Sequence, residues 1–273
     1  MSHTGQRRPG DWYTLDLDGK ILVVTGSSGI GAAAARLAVQ AGARVVIATG
    51  DEVSGIELAG ETGAELWTGE LARRGAAESV LSLCLSKFAR VDALFNAAGL
   101  SGRRFGDGPV DECTDEGWET TLAQNLEITF RMCRAVVGRM LEQAAGEDGV
   151  RGAIVNMGSA LAEAPEPRHF AHHAYAAAKG GVVALSRAMA AYYAPQGIRV
   201  NVLAPAVVRT PASERAGGDP EFQEFLRRKQ PLTGGMVDVA DVARAALFLL
   251  GGGARAMTGE VLTVDGGWKV TGV

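Results

Sequence analysis

The stretch Ile21-Leu22-Val23-Val24-Thr25-Gly26-Ser27-Ser28-Gly29-Ile30-Gly31 runs directly into Ala32-Ala33-Ala34-Ala35, and its reading decides the fold. The unbroken aliphatic and β-branched run before Gly26 fits a strand buried on both faces, as in a parallel sheet. The Ala-rich segment after Gly31 has helical period, so the glycines occupy a strand-to-helix turn. Backbone lacking Cβ can turn sharply there and approach a pyrophosphate, while the helix start offers N–H groups and a positive dipole end. A glycine pattern by itself fits an ordinary tight turn equally well. The strand before and the helix after favour the dinucleotide-binding reading.

Working outward, the same alternation continues to the end of the chain. Apolar runs predict strands at 21–25, 44–48, 65–68, 93–96, 153–157, 199–204 and 260–264. Between them, helical periodicity predicts helices at 30–41, 76–88, 117–143, 174–194 and 239–250, with a shorter one at 53–62. Asp238 reads as an N-cap, and Gly251 to Gly253 as the end of that helix. The fold class is therefore α/β, a doubly wound parallel sheet of seven strands with helices on both faces in one domain at 15–273, preceded by a flexible tail at 1–14. Right-handed crossovers place the ligand crevice beyond the carboxyl ends of the strands. The connection 207–237 is long enough to predict a substrate lid, with a short helix at 220–229 and hinges at Gly217-Gly218 and Gly234-Gly235.

Bulk properties narrow the function. The 273 residues are 47% hydrophobic and 21% charged, the composition of a globular domain with a full core. A net charge of −4 with scattered arginines argues against nucleic acid or an anionic membrane as partner. Cys84, Cys113 and Cys133 lie far apart and read as reduced thiols, with no metal site expected. With no apolar leader in the first twelve residues and no run long enough to span a bilayer, a cytoplasmic location is expected.

Chemistry enters at Tyr175-Ala176-Ala177-Ala178-Lys179, whose i, i+4 spacing sets both side chains on one helix face. A free phenol, with pKa near 10, is a poor base at neutral pH. Lowering it by ~2 to 3 units takes ~3 to 4 kcal/mol, about what one ammonium ~4 Å away supplies at an effective dielectric near 20. Taken alone, a Tyr beside an exposed Lys is the commoner meaning of such a pair. Ser159 changes the balance, because it follows the strand at 153–157 at the edge where open α/β sheets bind ligands. Asn125, within an apolar helix, needs hydrogen-bond partners, and on its own reads as functional or as a structural helix kink or interhelix amide.

Assembled, these residues resemble the short-chain dehydrogenase/reductase family in its short single-domain branch. The resemblance runs from about Leu15 to Val270, through the glycine turn, Asn96-Ala97-Ala98-Gly99, Asn125, Ser159, Tyr175 with Lys179, Ile198 to Asn201, Pro205 to Thr210, and Val264-Asp265-Gly266-Gly267. It implies an oxidoreductase that moves a hydride between NAD or NADP and a small-molecule alcohol or ketone, with assembly as a homotetramer. Tyr175 would shuttle the proton, Lys179 would tune it and hold the nicotinamide ribose, Ser159 would orient the substrate oxygen and Asn125 would hold a relay water. Gly26, Ser28, Gly29, Ile30, Gly31, Thr49, Glu70, Leu71, Asn96, Ala97, Ala98, Gly99, Tyr175, Lys179, Pro205, Val208 and Thr210 would bind the cofactor.

Departures from the pattern are informative. Gly26 and Gly29 enclose two residues where the family has three, so the phosphate loop must take a different local path. Ser159 and Tyr175 are 16 positions apart, which implies an insertion within 160–174. Pro205-Ala206 replaces the family's Pro-Gly turn and disfavours positive φ. Thr49 stands where NAD-preferring relatives carry an acid and Gly50 where NADP-preferring ones often carry Arg; Asp51 beside them gives a lean to NAD. Arg103 and Arg104, which can face an anionic substrate group, read more simply as solvated. His169, His172 and His173 can border the pocket but read more simply as a polar surface loop. The alternatives to a dehydrogenase are a cofactor-binding protein with weak or no activity, and an epimerase or dehydratase on the same fold.

Overall fold

The computed structural model describes residues 15–146, 149–211, 213 and 218–272. The expected tail at 1–14 and the hinge residue Gly217 lie outside them. Seven strands form one all-parallel sheet in the order β3-β2-β1-β4-β5-β6-β7. They are β1 (Ile21–Thr25), β2 (Arg44–Thr49), β3 (Glu65–Thr68), β4 (Ala93–Asn96), β5 (Gly152–Met157), β6 (Ile198–Pro205) and β7 (Val261–Val264). Strands β1, β4, β5 and β6 are buried along their whole length, which is why they read as continuous apolar runs.

Helices cover both faces. On one lie α1 (Gly29–Gln40) and α8 (Val239–Leu250), closing a core with Leu22, Val24, Phe95 and Val155. On the other lie α3 (Ala76–Phe88), α5 (Ile128–Glu142) and α6 (His173–Tyr193), packed on Val23, Leu94, Ile154 and Val200. Alternate residues of each strand thus serve alternate layers. The remaining helices are α2 (Glu52–Thr62), α4 (Asp115–Leu122) and α7 (Pro220–Lys229). Side-chain caps start several of them: Asp51 accepts from the Ser54 amide, Thr114 from Gly117, Asp219 from Glu221, and Asp238 from Ala240.

One expected helix is broken. The segment predicted as a single helix at 117–143 is α4, a π-turn at Ala123–Glu127, then α5. Asn125 is the cause. Its amide nitrogen donates to the carbonyls of Thr121 at 2.8 Å and Leu100 at 2.9 Å, and Thr129 Oγ1 donates to the Asn125 carbonyl at 2.8 Å. A side chain that enters the backbone ladder widens it by one residue.

The long connection after β6 contains α7 where expected, but its ends are tied. Buried Gln230 accepts from the Val207 amide and donates to the carbonyls of Val207 and Gly235 at 2.9–3.0 Å. The Thr233 hydroxyl adds a 2.6 Å bond to the Gly235 carbonyl, at the expected hinge Gly234-Gly235. Ala206 avoids positive φ, which among the described non-glycine residues occurs only at Asp16 and Ala89. Trp268 is fully buried within the chain, packed on Phe170 and Phe225 with Nε1 donating to the Ala164 carbonyl. Cys84 and Cys133 are buried free thiols, each pushed up to about 12 by desolvation, whereas Cys113 is half-buried just ahead of α4. Among the described residues no helix is long and apolar enough to cross a membrane.

Candidate active site

A cleft of about 430 Å³ opens along the carboxyl edge of the sheet, between the loops that follow β1, β4, β5 and β6. Every catalytic or cofactor-binding residue expected on sequence grounds lines it except Asn96. Asn96 lies beneath the floor instead, its amide donating to Asn156 Oδ1 at 2.8 Å and Cys133 Sγ at 3.4 Å. That bond ties β4 to β5, and Asn156 passes it on to Ser186 of α6 at 2.9 Å. Asn96 therefore shapes the cleft without facing it.

At the β1 end, the short glycine loop still makes a cradle. Helix α1 begins at Gly29, with φ of +50°, and a Cβ there would lie 3.0 Å from Thr210 Cγ2 across the cleft. A Cβ on Gly31 would come within 2.5 Å of the Gly26 carbonyl oxygen, so the tight turn excludes any larger residue. The N-cap, Ser28, makes no side-chain bond to the first turn of α1, in contrast to the capped starts of α2, α4, α7 and α8. A glycine cradle with uncapped first-turn amides fits a pyrophosphate. Ser27, which sequence reasoning passed over, braces the loop. Its hydroxyl bonds Thr49 Oγ1 at 2.8 Å and Ser54 Oγ at 2.6 Å. Thr49 Oγ1 also accepts from the Asp51 amide, so it is engaged internally while exposed Asp51 lines the cleft.

At the other end, four polar side chains converge. Lys179 and Asn125 are almost wholly buried and close to each other: a Cβ built on Gly99 would sit 2.5 Å from Asn125 Oδ1 and 3.3 Å from Lys179 Nζ. Asn125 Oδ1 has no partner, an orphaned acceptor beside the cleft. Lys179 Nζ donates to the Met157 carbonyl at 3.0 Å and lies 5.5 Å from the centre of the Tyr175 ring. Ser159 follows β5, and its Oγ accepts from the Leu161 amide.

The electrostatics differ from the sequence expectation. Burial pushes the Tyr175 phenol above its ordinary value, and only a hydrogen bond with Ser159 pulls it down. Desolvation brings Lys179 itself down to about 8. The loop residues are also redistributed. Arg103 and Arg104 are exposed, Arg103 donating to the His169 carbonyl and Arg104 lying 4.8 Å over the Phe105 ring. His173 is exposed as expected, but His169 is wedged between Phe222 and Phe225, and His172 is buried and held neutral by desolvation. Gln124, also unforeseen, joins Asn125 in the π-turn and donates to Glu70 at 3.0 Å.

Comparison with known proteins agrees with this geometry. A family profile described as Enoyl-(Acyl carrier protein) reductase matches residues 24–269. D-threitol dehydrogenase of Mycolicibacterium smegmatis is 36% identical, over 94% of this chain and 96% of that protein. A Xanthobacter autotrophicus protein named inactive 2-(S)-hydroxypropyl-CoM dehydrogenase 2 is also 36% identical, over 85% and 98%. A solved structure described as ribose-5-phosphate isomerase from Brucella melitensis 16M superposes with a TM-score of 0.84 at 31% identity, covering 95% of both chains. The chain belongs to the short-chain dehydrogenase/reductase family of oxidoreductases.

Proposed function

We propose that this protein is an NAD-dependent dehydrogenase of secondary alcohols, with small polyols as the first class to test. One observation carries the reading: Asn125, Ser159, Tyr175 and Lys179 meet at one end of a cleft whose other end is a glycine cradle with free helix amides. The nicotinamide group, when bound, accepts or supplies the hydride. Ser159 holds the substrate oxygen, and Tyr175 takes its proton in oxidation or returns one in reduction. Lys179 supplies donors to the cofactor ribose and charge beside the phenol. Asn125, with its orphaned acceptor, holds a water that passes the proton outward.

The preference for NAD rests on Asp51, which would repel a 2′-phosphate. Among the described residues lining the cleft there is no arginine to attract one. The polyol suggestion comes from D-threitol dehydrogenase among the relatives. The connection at 207–237 closes over the substrate in this reading, and exposed Trp118, Phe130 and Phe248 supply apolar contacts for a homotetramer. The three unpaired cysteines suit a reducing, cytoplasmic setting.

The test is a fluorescence titration with NADH and NADPH, followed by a panel of alcohols and ketones that includes D-threitol. NADH binding more tightly than NADPH, with turnover of at least one alcohol, is expected. Tighter NADPH binding overturns the cofactor assignment. NADH binding without turnover of any panel member favours the second reading, a binding protein, which the short glycine loop and the relative named inactive both support. A product formed without net oxidation would point to an epimerase or dehydratase.

A further inference from the structure

Tyr175 is the third residue of α6, in the turn where a helix is held least. The first amides of a helix have no partners within it, and the N-cap of α6, His172, provides no side-chain bond. Yet the amides of His173, Ala174 and Tyr175 are all satisfied. The partners come from the loop after β4, more than sixty residues earlier. The Gly108 carbonyl accepts from His173 at 3.1 Å. Asp107 Oδ1 accepts from Ala174 at 2.9 Å, and Asp107 Oδ2 from Tyr175 at 3.0 Å. Asp107 is buried, and both of its oxygens are spent on these two amides.

The loop that carries Asp107 is itself fixed. The Asp107 amide donates to the Gly102 carbonyl at 3.1 Å, and Thr114, the N-cap of α4, donates its hydroxyl to the Phe105 carbonyl at 3.1 Å and its amide to the Gly106 carbonyl at 3.0 Å. Arg103 reaches from the same loop to the His169 carbonyl at 3.0 Å, just ahead of α6. One rigid loop thus ties the helix that leads to Asn125 to the first turn that bears Tyr175. Lys179, a full turn deeper, is held independently by its bond to Met157.

We propose that Asp107 is a positioning residue for Tyr175: its carboxylate clamps the Ala174 and Tyr175 amides and sets where the phenol stands relative to Ser159 and Lys179. A carboxylate is suited to the task because its two oxygens accept from adjacent first-turn amides, and its charge complements the positive end of the helix. Small displacements at a reacting group are costly, since ~1 Å can remove ~100-fold in rate. The catalytic part of this proposal rests on the dehydrogenase reading above, but the clamp itself does not.

The test compares Asp107→Ala and Asp107→Asn with the parent chain. Hydrogen exchange at the Ala174 and Tyr175 amides should be at least ~10-fold faster in Asp107→Ala and intermediate in Asp107→Asn, which keeps one acceptor oxygen. Exchange in the second half of α6 should be unchanged. On an alcohol that the parent oxidises, kcat should fall ~10- to 100-fold in Asp107→Ala and recover in part in Asp107→Asn. KM and the NADH dissociation constant should stay within about two-fold, because Lys179 and the glycine cradle are untouched. Parent-like exchange in Asp107→Ala overturns the clamp. Faster exchange with parent-like kcat, or a fall in kcat matched by equal loss of NADH affinity, overturns positioning. Should Asp107→Ala fail to fold, Asp107→Asn decides by the same two readouts. A parent chain that oxidises no alcohol defeats the dehydrogenase reading and the catalytic part with it, while exchange still decides the clamp.

Discussion

Two helices start at the same edge of the sheet and are finished in opposite ways. Helix α1 leaves its first-turn amides without a side-chain cap, whereas the first three amides of α6 are all taken by Gly108 and Asp107. An open helix start offers donors and a positive dipole end to an anion. A closed one offers neither, but it holds its side chains in place. The first arrangement suits binding a pyrophosphate, and the second suits aiming a reacting side chain. The two tasks of the cleft are thus divided between two helix ends that look alike in outline.

The sharpest way to break the comparison is at the closed end. Tyr175→Phe should lower turnover by roughly 1,000-fold while NADH affinity changes by less than about two-fold, because the hydroxyl transfers a proton and contributes little binding. Retention of more than about a tenth of parent turnover would contradict the shuttle. Next comes Ser159→Ala, which removes a donor at the reacting oxygen; turnover should drop ~100-fold with the cofactor still bound, as read by kcat and NADH titration. At the open end, Gly31→Ala forces a Cβ to within 2.5 Å of the Gly26 carbonyl oxygen. Overpacking of that kind costs about 1–3 kcal/mol of stability, and NADH affinity should weaken by about ten-fold or more. Unaltered affinity would mean that the tight turn is not what seats the cofactor.

The last test concerns Lys179, which lies between the two tasks. Unfolded, its ammonium keeps its proton up to the ordinary 10.5; folded and desolvated, only to about 8. Between those values the unfolded chain binds more protons, so stability rises with pH across that window. Tyr175, raised in the folded protein, works in the opposite sense above its ordinary 10. In cofactor-free protein, the parent should therefore gain about 2 kcal/mol on Lys179→Met between roughly pH 7.5 and 9.5, measured by urea unfolding. A gap that stays constant with pH would show that Lys179 is hydrated rather than desolvated.

How legible these features were follows from how each is encoded. The strands, the glycine turn and the Tyr175–Lys179 pair are local patterns, and β1, β3, β4, α3, α7 and α8 fall where periodicity alone puts them. A kink at Asn125 was legible only as one alternative, because the break at Ala123–Glu127 depends on its side chain reaching the carbonyl of Leu100 in another segment. Asp107, Gln230 and Ser27 escaped notice for the same reason. Each is one polar residue in a loop with at least one partner 22 to 68 residues away in sequence. His172 was read as exposed because its side chain is polar; its edge contact with Phe170, which itself packs on Phe222 and Trp268, belongs to the enclosure that buries it. The raised phenol of Tyr175 is likewise a consequence of enclosure, which no spacing records.

The distribution of thiols gives the native chain a reporter of its own. Cys84 and Cys133 are enclosed and remain protonated near neutrality, so an electrophilic dye finds neither accessible thiolate nor room to react. Cys113 is partly open and stands six residues along the chain from Asp107, in the segment that joins the clamping loop to α4. A fluorophore attached there would sense the surroundings of that loop as ligands arrive, with no cysteine added or removed.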